Sequence, residues 1–262
     1  MLAEDTESPY GVQLPMKLSI VIPAYNEEFS IAEVLRRVKA VQLNGIQKEI
    51  LVIDDASADR TASIAGTITG VRVIRHEKNK GKGGAVKTGI ASATGDIVLI
   101  QDADLEYDPQ DYNAVIQPIV SGTADAVMGS RFLINRLVFW GKNRSPYFVH
   151  YLGNKTIVAI TNLLYNQSFT DYEGCYKAFS RSLLTQTEIV ANGFEFDNEL
   201  MCKIFRKHIR VSEVPIHYQP RSYENGKKIT WRHGLIMLWT IVKWRVLPVA
   251  SPAVQQSQKA VA

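Results

Sequence analysis

The chain has 262 residues, of which 46% are hydrophobic and 21% charged, and its formal charge is only +4. These values are typical of a globular protein with a full hydrophobic core, in one large domain or one domain with an appendage. Two cysteines, Cys175 and Cys202, exclude a disulfide framework and have no metal-ligand spacing, so we expect a reducing compartment. Since no apolar stretch approaches the roughly 20 residues that a membrane-spanning helix needs, the chain is not expected to cross a bilayer.

Short β-branched runs alternate with helix-like segments along the first half. The predicted strands are residues 17–25, 49–57, 71–77, 95–102 and 124–131. The predicted helices are 30–41, a segment from about 58, 83–93 and 109–120. Ser30 and Glu33 have the spacing of a capping box at the start of the first helix. The alternation predicts an α/β fold with a mostly parallel, Rossmann-like sheet flanked by helices on both faces.

Chemically reactive residues follow the predicted strands where each strand ends. "PAYNEE" (23–28) follows the first strand, Asp54 and Asp55 end the second, three carboxylates follow the fourth, and "GSR" (129–131) ends the fifth. Parallel strands bring their carboxyl ends to one edge of a sheet, where the ligands of such sheets bind. One aspartate there can be a turn former or a helix cap, but the convergence of four sets predicts a functional site.

The three carboxylates are Asp102, Asp104 and Glu106, in "IVLIQDADLEYDP". If the chain stays extended past Ile100, the period-two alternation of a strand points all three the same way. Carboxylates this close repel one another unless a cation compensates them. Mg²⁺ and Mn²⁺ prefer oxygen ligands, and Mg²⁺ commonly takes one or two carboxylates plus substrate phosphates. Asp102 and Asp104 are therefore predicted to bind, directly or through water, a metal ion that carries a diphosphate.

Two common nucleotide-binding motifs do not match the sequence. The Rossmann fingerprint would place G-x-G-x-x-G after the first strand, where "PAYNEE" stands. A Walker A loop would place Gly before Lys-Ser/Thr, but Lys87 follows Val86. The glycine-rich "NKGKGGA" (79–85) precedes a helix at a different spacing, and we expect it to place Lys82 near phosphates.

Basic residues are concentrated in the second half of the chain. Residues 203–245 hold ten Lys or Arg against two Glu, and residues 131–155 hold five basic residues and no acid. Such clusters are often only solvated faces, but two of them in one half of a nearly balanced chain predict an anionic partner.

Several motifs together carry a family resemblance. "VIPAYNEE", "VIDDASADRT", "NKGKGGAVKTG", "GDIVLIQDADLEYDP" and "GSRF" resemble the family 2 glycosyltransferases with a GT-A fold. Within that family they are most similar to the branch of dolichol-phosphate mannose synthases and polyprenyl-phosphate glycosyltransferases. The resemblance covers about residues 18–232, and its motifs are specific in combination.

The resemblance implies roles for the matching residues. The pocket for the base and ribose of a nucleotide sugar would be formed by Pro23, Tyr25, Glu27, Ile53 and Asp55. The metal and the diphosphate would be held by Asp102, Ala103, Asp104 and Glu106, with Arg131 close by; Asp104 and Arg131 are also candidate catalytic residues. The chain departs from the family at Glu106, where mannose synthases often have Gln, and at Ala56, where the "DDGS" motif has Gly. The second departure matters if the turn needs a positive φ.

The second half resembles the acceptor side of these enzymes. "DYEGCYKAFSR" and "GFEFDNEL" match its segments, and "YQPRSYENGKKITWRHG" resembles its arginine- and lysine-bearing loop. This loop implies that Arg221 and Lys227 contact the diphosphate during catalysis. The acid-free stretch around Arg144 predicts that Arg144 helps to receive an acceptor phosphate. Processive synthases have Q-x-x-R-W, which the chain lacks at Gln219, so a chain-polymerising enzyme is disfavoured.

The carboxyl-terminal segment 231–248 is predicted to be an amphipathic helix. Leu235, Leu238, Trp239, Val242 and Val246 recur at helical spacing, with basic residues among tryptophans. Two interpretations stay open: a helix that packs in the core, and a helix that lies in the membrane interface. The expected organisation is a tail (1–16), a glycosyltransferase domain (17–230) with a nucleotide-sugar half (17–131) and an acceptor half (132–230), this helix, and a second tail (249–262).

Residues and resemblance together predict an inverting glycosyltransferase that uses Mg²⁺ or Mn²⁺. It would transfer mannose or glucose from a GDP- or UDP-sugar to a polyprenyl phosphate, on the cytoplasmic face of a membrane to which it binds peripherally. No nucleic-acid partner is expected; a membrane-protein partner or a second copy of the chain stays open. The alternatives are another acceptor in cell-envelope glycan synthesis and a non-catalytic sugar-nucleotide binder. A D-x-D-x-T phosphohydrolase is disfavoured because Glu106 stands where Thr is needed.

Overall fold

A seven-stranded sheet lies at the centre of the computed structural model, which describes residues 15–134, 148–219 and 231–249. The strands are β1 Lys17–Ala24, β2 Gln47–Asp54, β3 Val71–Arg75, β4 Ile97–Ile100, β5 Ala126–Ser130, β6 Lys177–Ser180 and β7 Val211–Pro215. Their order is β3-β2-β1-β4-β6-β5-β7. β6 runs antiparallel to both of its neighbours, and the other pairings are parallel. The predicted mostly parallel α/β sheet is confirmed.

Helices connect and cover these strands. They are α1 Ile31–Ala40, α2 Thr61–Gly66, α3 Lys82–Ser92, α4 Tyr112–Val120, α5 Phe148–Tyr165, α6 Arg181–Thr185, α7 Phe196–Arg206 and α8 Trp231–Val246, with a short 3-10 helix at Pro109–Asp111. Every residue of β4 and of β5 is buried. Since successive strand residues point to opposite faces, continuous burial means that both faces of the sheet are covered, as predicted.

The predicted capping box at the start of α1 is wrong. Ser30 is the N-cap residue, but its side chain makes no capping hydrogen bond. Its hydroxyl instead contacts Glu27 and the carbonyl oxygen of Ala103, at 2.9 and 2.7 Å. Glu33 pairs with two arginines on the exposed face of α1. Ser30 therefore joins the loop after β1 to the loop after β4.

The antiparallel strand β6, which the sequence did not reveal, determines which segments reach the site. Lys177, its first residue, pairs with Ile100 at the end of β4 and with Met128 in β5. Because β6 runs the opposite way, its amino end lies at the edge where the parallel strands have their carboxyl ends. Residues 171–176 are thereby brought to the predicted site.

The carboxyl-terminal helix α8 has two apolar faces. One face is buried, with Met237, Ile241 and Trp244. The other is exposed, and Trp239 and Val246 on it are 66% and 75% accessible. The core-packing interpretation is therefore correct for one side of this helix, and the membrane-interface interpretation stays a prediction for the other side. In the part of the chain that the structure describes, no helix is long and apolar enough to span a bilayer.

Candidate active site

The loop after β4 does not continue as a strand through the acid triplet. β4 ends at Ile100, a turn follows at residues 103–104, and Leu105 has a φ of 64°. The backbone N–H of Glu106 donates to a carboxylate oxygen of Asp104 at 3.2 Å. Strand alternation therefore does not align the three acids. No group of three or more His, Cys, Asp or Glu is arranged to hold a metal ion among the described residues.

A buried amide supports the start of this loop. The Gln101 side chain accepts hydrogen bonds from the hydroxyls of Tyr112 and Tyr176, at 2.6 and 2.8 Å. Its own N–H donates to the carbonyl oxygen of Asp102 at 2.8 Å. Both tyrosines and Gln101 are buried. The backbone at Asp102 is thus held by a network that is withdrawn from solvent, which favours one fixed position of its carboxylate.

Lys82 and Asp102 form an ion pair at the centre of the site. The Lys82 Nζ lies 2.7 Å from the Asp102 Oδ1, and the two side chains are 19% and 18% exposed. Burial alone would raise the pKa of Asp102, but the ammonium of Lys82 lowers this pKa below its ordinary value. Burial alone would lower the pKa of Lys82, but Asp102 raises it. Both groups are therefore charged at neutral pH, and Lys82 lies where a diphosphate bound near Asp102 would need a cation.

The glycine-rich loop before α3 packs against another backbone segment. Gly81 has a φ of 84°, and a Cβ on it would lie 2.4 Å from the carbonyl oxygen of Asn192. The N–H groups of Gly83 and Gly84 donate to the carbonyls of Gly193 and Asn192. These glycines permit close packing with residues 191–193, and two N–H groups at the start of α3 are already used. In this part of the loop it is the Lys82 side chain that faces Asp102.

Asp55 holds the glycine-rich loop in place. Its carboxylate accepts hydrogen bonds from the backbone N–H groups of Lys80 and Gly81, both at 2.8 Å. The Nδ1 of His76 lies 2.7 Å from the same carboxylate, and the His76 Nε2 lies 2.9 Å from the hydroxyl of Thr88 in α3. Asp55 is buried and links the ends of β2 and β3 to the start of α3.

The turn after β2 contains a strained residue. Ala56 has a φ of 60°, a conformation that costs a residue with a Cβ about 1–2 kcal/mol. The turn therefore does need the positive φ that Gly would adopt easily. Beside it, Asp54 is buried; its Oδ2 pairs with Arg75 at 3.2 Å and its Oδ1 has no hydrogen-bond partner. Strain and an orphan carboxylate oxygen in one turn are typical of a ligand-binding site.

The other residues predicted for the nucleotide pocket lie along β1 and β2. Pro23 is half-buried and pairs in register with Ile53, which is fully buried in the sheet. Tyr25 is 40% exposed at the end of β1. The backbone N–H of Glu27 donates to the hydroxyl of Thr61 at 2.8 Å, so the loops after β1 and β2 are joined. Tyr25 is thus partly exposed beside these joined loops, and Ile53 contributes to the core of the sheet.

Arg131, at the end of β5, is held by a bidentate ion pair. Its Nε and Nη2 donate to the two carboxylate oxygens of Asp171 at 2.7 and 2.9 Å, and its backbone N–H donates to Asp171 as well. The Asp171 side chain is fully buried. The Arg131 guanidinium also lies 5.1 Å from the ring centre of Tyr218. Burial opposes the charge of Arg131, but Asp171 raises the pKa of Arg131 above its ordinary range.

Four polar residues that the sequence did not single out individually lie beside the Lys82–Asp102 pair. Lys177 is buried, donates to the carbonyl oxygen of Gly174 and lies 3.4 Å from Asp197 at the start of α7. Asn198 donates to Glu173 at 2.9 Å. Burial raises the pKa values of Asp197 and Glu173. A lysine inside an otherwise apolar strand segment, "YKAFS", was the available signal, since a buried lysine needs an anionic partner.

Three predicted residues, Arg144, Arg221 and Lys227, lie outside the described residues. The described ones converge on one edge of the sheet from the four strand ends that the sequence predicted, and Lys82 joins them from the start of α3, after β3. There they combine a carboxylate and an ammonium in a mostly buried pair, an exposed ring at the end of β1 and a fixed guanidinium. Such an arrangement can bind an anionic ligand together with a cation.

The chain matches one protein family and is similar to several individual proteins. The model of the family described as "Glycosyl transferase family 2" matches residues 19–187. A low-salt glycan biosynthesis hexosyltransferase, Agl6, from Haloferax volcanii is 31% identical over 84% of this chain and 53% of its own. A dolichol-phosphate mannosyltransferase from Pyrococcus furiosus is 30% identical over 87% of this chain and 64% of its own. The chain thus spans between half and two thirds of the length of these two proteins.

One relative is covered almost in full, and a solved structure shares the fold. The UDP-N-acetylglucosamine–dolichyl-phosphate N-acetylglucosaminyltransferase of Methanococcus voltae is 32% identical over 80% of this chain and 89% of its own. Glucosyl-3-phosphoglycerate synthase from Mycobacterium tuberculosis, solved with Mn²⁺, UDP and phosphoglyceric acid, superposes with a TM-score of 0.69. That comparison covers 90% of this chain and 80% of the synthase at 21% identity, which establishes the GT-A fold. The chain belongs to glycosyl transferase family 2.

Proposed function

We propose that the chain transfers a hexose from a nucleotide sugar to a polyprenyl phosphate, with inversion and with a divalent cation. The observation that carries this proposal is the Lys82–Asp102 ion pair at the carboxyl end of β4. It supplies a carboxylate for a metal ion and a cation for a diphosphate at one point of the rim. The names of two relatives, a dolichol-phosphate mannosyltransferase and a dolichyl-phosphate N-acetylglucosaminyltransferase, support the acceptor class.

The donor would bind along the ends of β1, β2 and β4. Tyr25 would pack on the base, and Pro23, Glu27 and Asp55 would shape the pocket around base and ribose. Asp102 and Asp104 would hold Mg²⁺ or Mn²⁺, and a set of two carboxylates fits a cation whose other ligands are substrate phosphates. When bound, the cation stabilises the negative charge of the departing nucleoside diphosphate. The Mycobacterium synthase, which shares the fold and was solved with Mn²⁺ and UDP, supports this donor class.

The protein's own residues would orient the reactants and balance their charges. Lys82 would contact the diphosphate as it accumulates charge, and Arg131, fixed by Asp171, would stand at the other side of the loop after β4. Arg221 and Lys227 are proposed to contact the same diphosphate, and Arg144 the acceptor phosphate. A phosphate monoester already carries about −1.5 to −2 charge at neutral pH, so its oxygen can attack without a general base. A single attack from behind inverts the anomeric centre.

The exposed face of α8 supports a site at a membrane surface. Its apolar side chains recur at spacings of four, three and four residues: Leu235, Trp239, Val242 and Val246. α8 contains no acidic residue, and Lys243 lies in its last turn. Tryptophan among basic residues is favoured at the interface of an anionic bilayer.

The start of α8 lies near the candidate active site. The ring of His233, in the first turn of α8, lies 5.2 Å from the ring of Phe194, and the Phe194 ring lies 5.8 Å from the Lys82 Nζ. The helix therefore begins beside the active site.

Vesicle binding tests this face. Trp239→Ala combined with Val242→Ala should reduce binding to vesicles that contain anionic lipids, and added salt should reduce binding of the wild type. Val190→Ala is the matched control, because Val190 is 52% exposed but lies outside α8. If the double variant binds as well as the control, this face does not contact lipid.

The acceptor is tested by comparing two lipids that differ in one group. UDP- and GDP-sugars with Mg²⁺ or Mn²⁺ are first screened for the donor that raises the melting temperature of the chain. With that donor, we expect transfer to polyprenyl phosphate and at least a hundredfold slower transfer to the unphosphorylated polyprenol. Equal transfer to both lipids would contradict the acceptor assignment.

A second candidate, transfer to a sugar hydroxyl, is favoured by one observation. Burial raises the pKa of Asp197, whose carboxylate lies 3.4 Å from Lys177, near the Lys82–Asp102 pair. A neutral hydroxyl needs a general base, and such a base contributes about 10²- to 10⁴-fold to the rate. Transfer to a sugar hydroxyl faster than to polyprenyl phosphate, together with such a loss in Asp197→Asn, would establish this second reaction.

A further inference from the structure

Glu199, in α7, holds the segment that precedes this helix by two backbone hydrogen bonds. One of its carboxylate oxygens accepts from the N–H of Val190 at 2.9 Å, and the other accepts from the N–H of Ala191 at 2.7 Å. Glu199 is buried, with 1% of its surface exposed. Because both oxygens are used, the carboxylate fixes residues 190 and 191 relative to α7.

Lys203, four residues further along α7, compensates the charge of Glu199. Its ammonium forms a buried ion pair with the Glu199 carboxylate and donates to the carbonyl oxygen of Glu188 at 2.7 Å. The same ammonium lies 3.8 Å from the ring centre of Trp244 in α8. Since a carboxylate that is withdrawn from water needs a partner of opposite charge, Glu199 and Lys203 act as one unit. This unit ties residues 188, 190 and 191 to α7.

The next two residues of the chain contact the glycine-rich loop. The carbonyl oxygens of Asn192 and Gly193 accept from the N–H groups of Gly84 and Gly83, at 3.1 and 3.2 Å. Gly83 and Gly84 directly follow Lys82 in the sequence. Residues 190–193, the bridging segment, therefore connect the Glu199 carboxylate to the backbone beside Lys82.

The two partners of the Lys82–Asp102 ion pair are thus supported from different sides. The backbone of Asp102 is held by the buried amide of Gln101. The Lys82 side chain has four rotatable bonds, so its 2.7 Å contact with Asp102 requires a defined position of the Lys82 backbone. The bridging segment, held by Glu199, supplies that position.

We propose that Glu199 is a positioning residue: through the bridging segment it holds the Lys82 backbone where the ammonium reaches Asp102 and the diphosphate of the donor. This inference rests on the proposed function, because it takes Lys82 to contact a nucleoside diphosphate. It deepens that function by assigning the placement of a donor-binding cation to α7, a helix of the acceptor half.

Two variants and a control test the proposal. Glu199→Gln replaces one acceptor oxygen by an NH₂ group, which cannot accept a backbone N–H, but it leaves the ammonium of Lys203 without its anion. Glu199→Gln combined with Lys203→Met removes both charges, a change that is often neutral for the stability of a buried pair. Glu49→Gln is the matched control. The Glu49 carboxylate also accepts a backbone N–H, from Thr94 at 2.9 Å, but Glu49 lies near the amino end of β2, away from the site.

Hydrogen exchange followed by mass spectrometry measures the bridging segment without any ligand. Peptides that contain the N–H groups of Gly83 and Gly84 should exchange about tenfold faster in both Glu199 variants, because a hydrogen bond that holds their acceptors in place is lost. Glu49→Gln should leave the exchange of these peptides unchanged.

Nucleotide binding measures the effect on Lys82. The affinity for UDP or GDP with Mn²⁺ should fall about tenfold in both Glu199 variants, and kcat should fall by a similar factor, whereas KM for the acceptor should stay within threefold. When Lys82→Met is added to the double variant, its affinity should be within twofold of that of Lys82→Met alone, because both changes act through Lys82. Glu49→Gln should lower Tm without these losses.

Three results would overturn the proposal: unchanged exchange at Gly83 and Gly84, faster exchange with nucleotide affinity within twofold of the wild type, or a further tenfold loss in the Lys82→Met background. The second result would assign Glu199 a purely structural role. Wild-type protein that binds neither nucleoside diphosphate would instead contradict the proposed function, and the exchange rates would still show whether Glu199 holds the glycine-rich loop. The two failures are thus distinguishable.

Discussion

Replacing Lys82 with methionine removes the cation that faces Asp102 and keeps an unbranched side chain that is only one atom shorter. The pair is separated by 2.7 Å, and about four fifths of each side chain is withdrawn from water. Removing one partner of a fully buried pair costs about 3–5 kcal/mol, so this slightly more exposed pair should cost about 2–3 kcal/mol in the free energy of unfolding. Urea unfolding measures this loss directly.

The same substitution should change metal binding in the opposite direction. Lys82 and a divalent cation compete for the carboxylate of Asp102, and a charged hydrogen bond contributes about 1.5–3 kcal/mol. Without nucleotide, Lys82→Met should therefore bind Mn²⁺ at least about tenfold more tightly than the wild type, whereas its affinity for UDP or GDP should fall. Electron paramagnetic resonance of free Mn²⁺ measures the first quantity and calorimetry the second.

Lys87 provides the control for this experiment. It lies on the same helix, and its ammonium contacts Asn192 and the carbonyl oxygen of Val190 instead of Asp102. Lys87→Met should leave Mn²⁺ affinity unchanged. If folded Lys82→Met binds Mn²⁺ no more tightly than the wild type, Lys82 and the metal do not share Asp102, and the reasoning is refuted.

Three further predictions concern stability and are checked by urea unfolding. Ala56→Gly should raise the free energy of unfolding by about 0.5–1 kcal/mol, since relief of positive-φ strain exceeds the entropy cost of Gly, whereas Ala58→Gly should not stabilise. The pKa of Asp102 is lowered from 3.8, so its contribution is present above that pH and is lost as the pH falls through the folded-state pKa; the stability difference between wild type and Lys82→Met should be largest near neutral pH and shrink as the pH falls toward and below about 4. Asp171→Asn should cost about 3 kcal/mol, because it leaves a buried arginine without its anion. An unchanged midpoint in Asp171→Asn, a stabilised Ala58→Gly, or a pH-independent difference would contradict the respective argument.

Local patterns of the sequence predicted the first five strands of the fold well. The predicted strands over β1 to β5 and the helices between them are confirmed within a few residues, because β-branched runs and helical periodicity are local signals. The convergence of the strand ends was predictable because parallel strands have their carboxyl ends at one edge of the sheet. The antiparallel strand β6 was missed because its four residues pair with strands about 50 and 80 residues earlier along the chain, and no local pattern reports such pairing.

The sequence did not predict several details of side-chain geometry, for physical reasons. The hydroxyl of Ser30 has a better partner in Glu27 and the Ala103 carbonyl than in its own helix, which only the tertiary structure reveals. The positive φ of Leu105 interrupts the strand alternation that was predicted to align the three carboxylates. Leucine rarely adopts a positive φ, so the residue type gave no indication of it. Glycines 81 and 83 serve the packing of two backbone segments.

The central claim, transfer of a hexose onto a lipid phosphate with inversion, is tested most directly by the structure of the product. Purified protein would be incubated with the donor that stabilises it, polyprenyl phosphate and Mn²⁺, and the anomeric configuration of the glycolipid would be determined by NMR. We expect one hexose joined to the lipid phosphate with the configuration opposite to that of the donor, and no product in EDTA. A product of retained configuration, or equal yield in EDTA, would contradict the account.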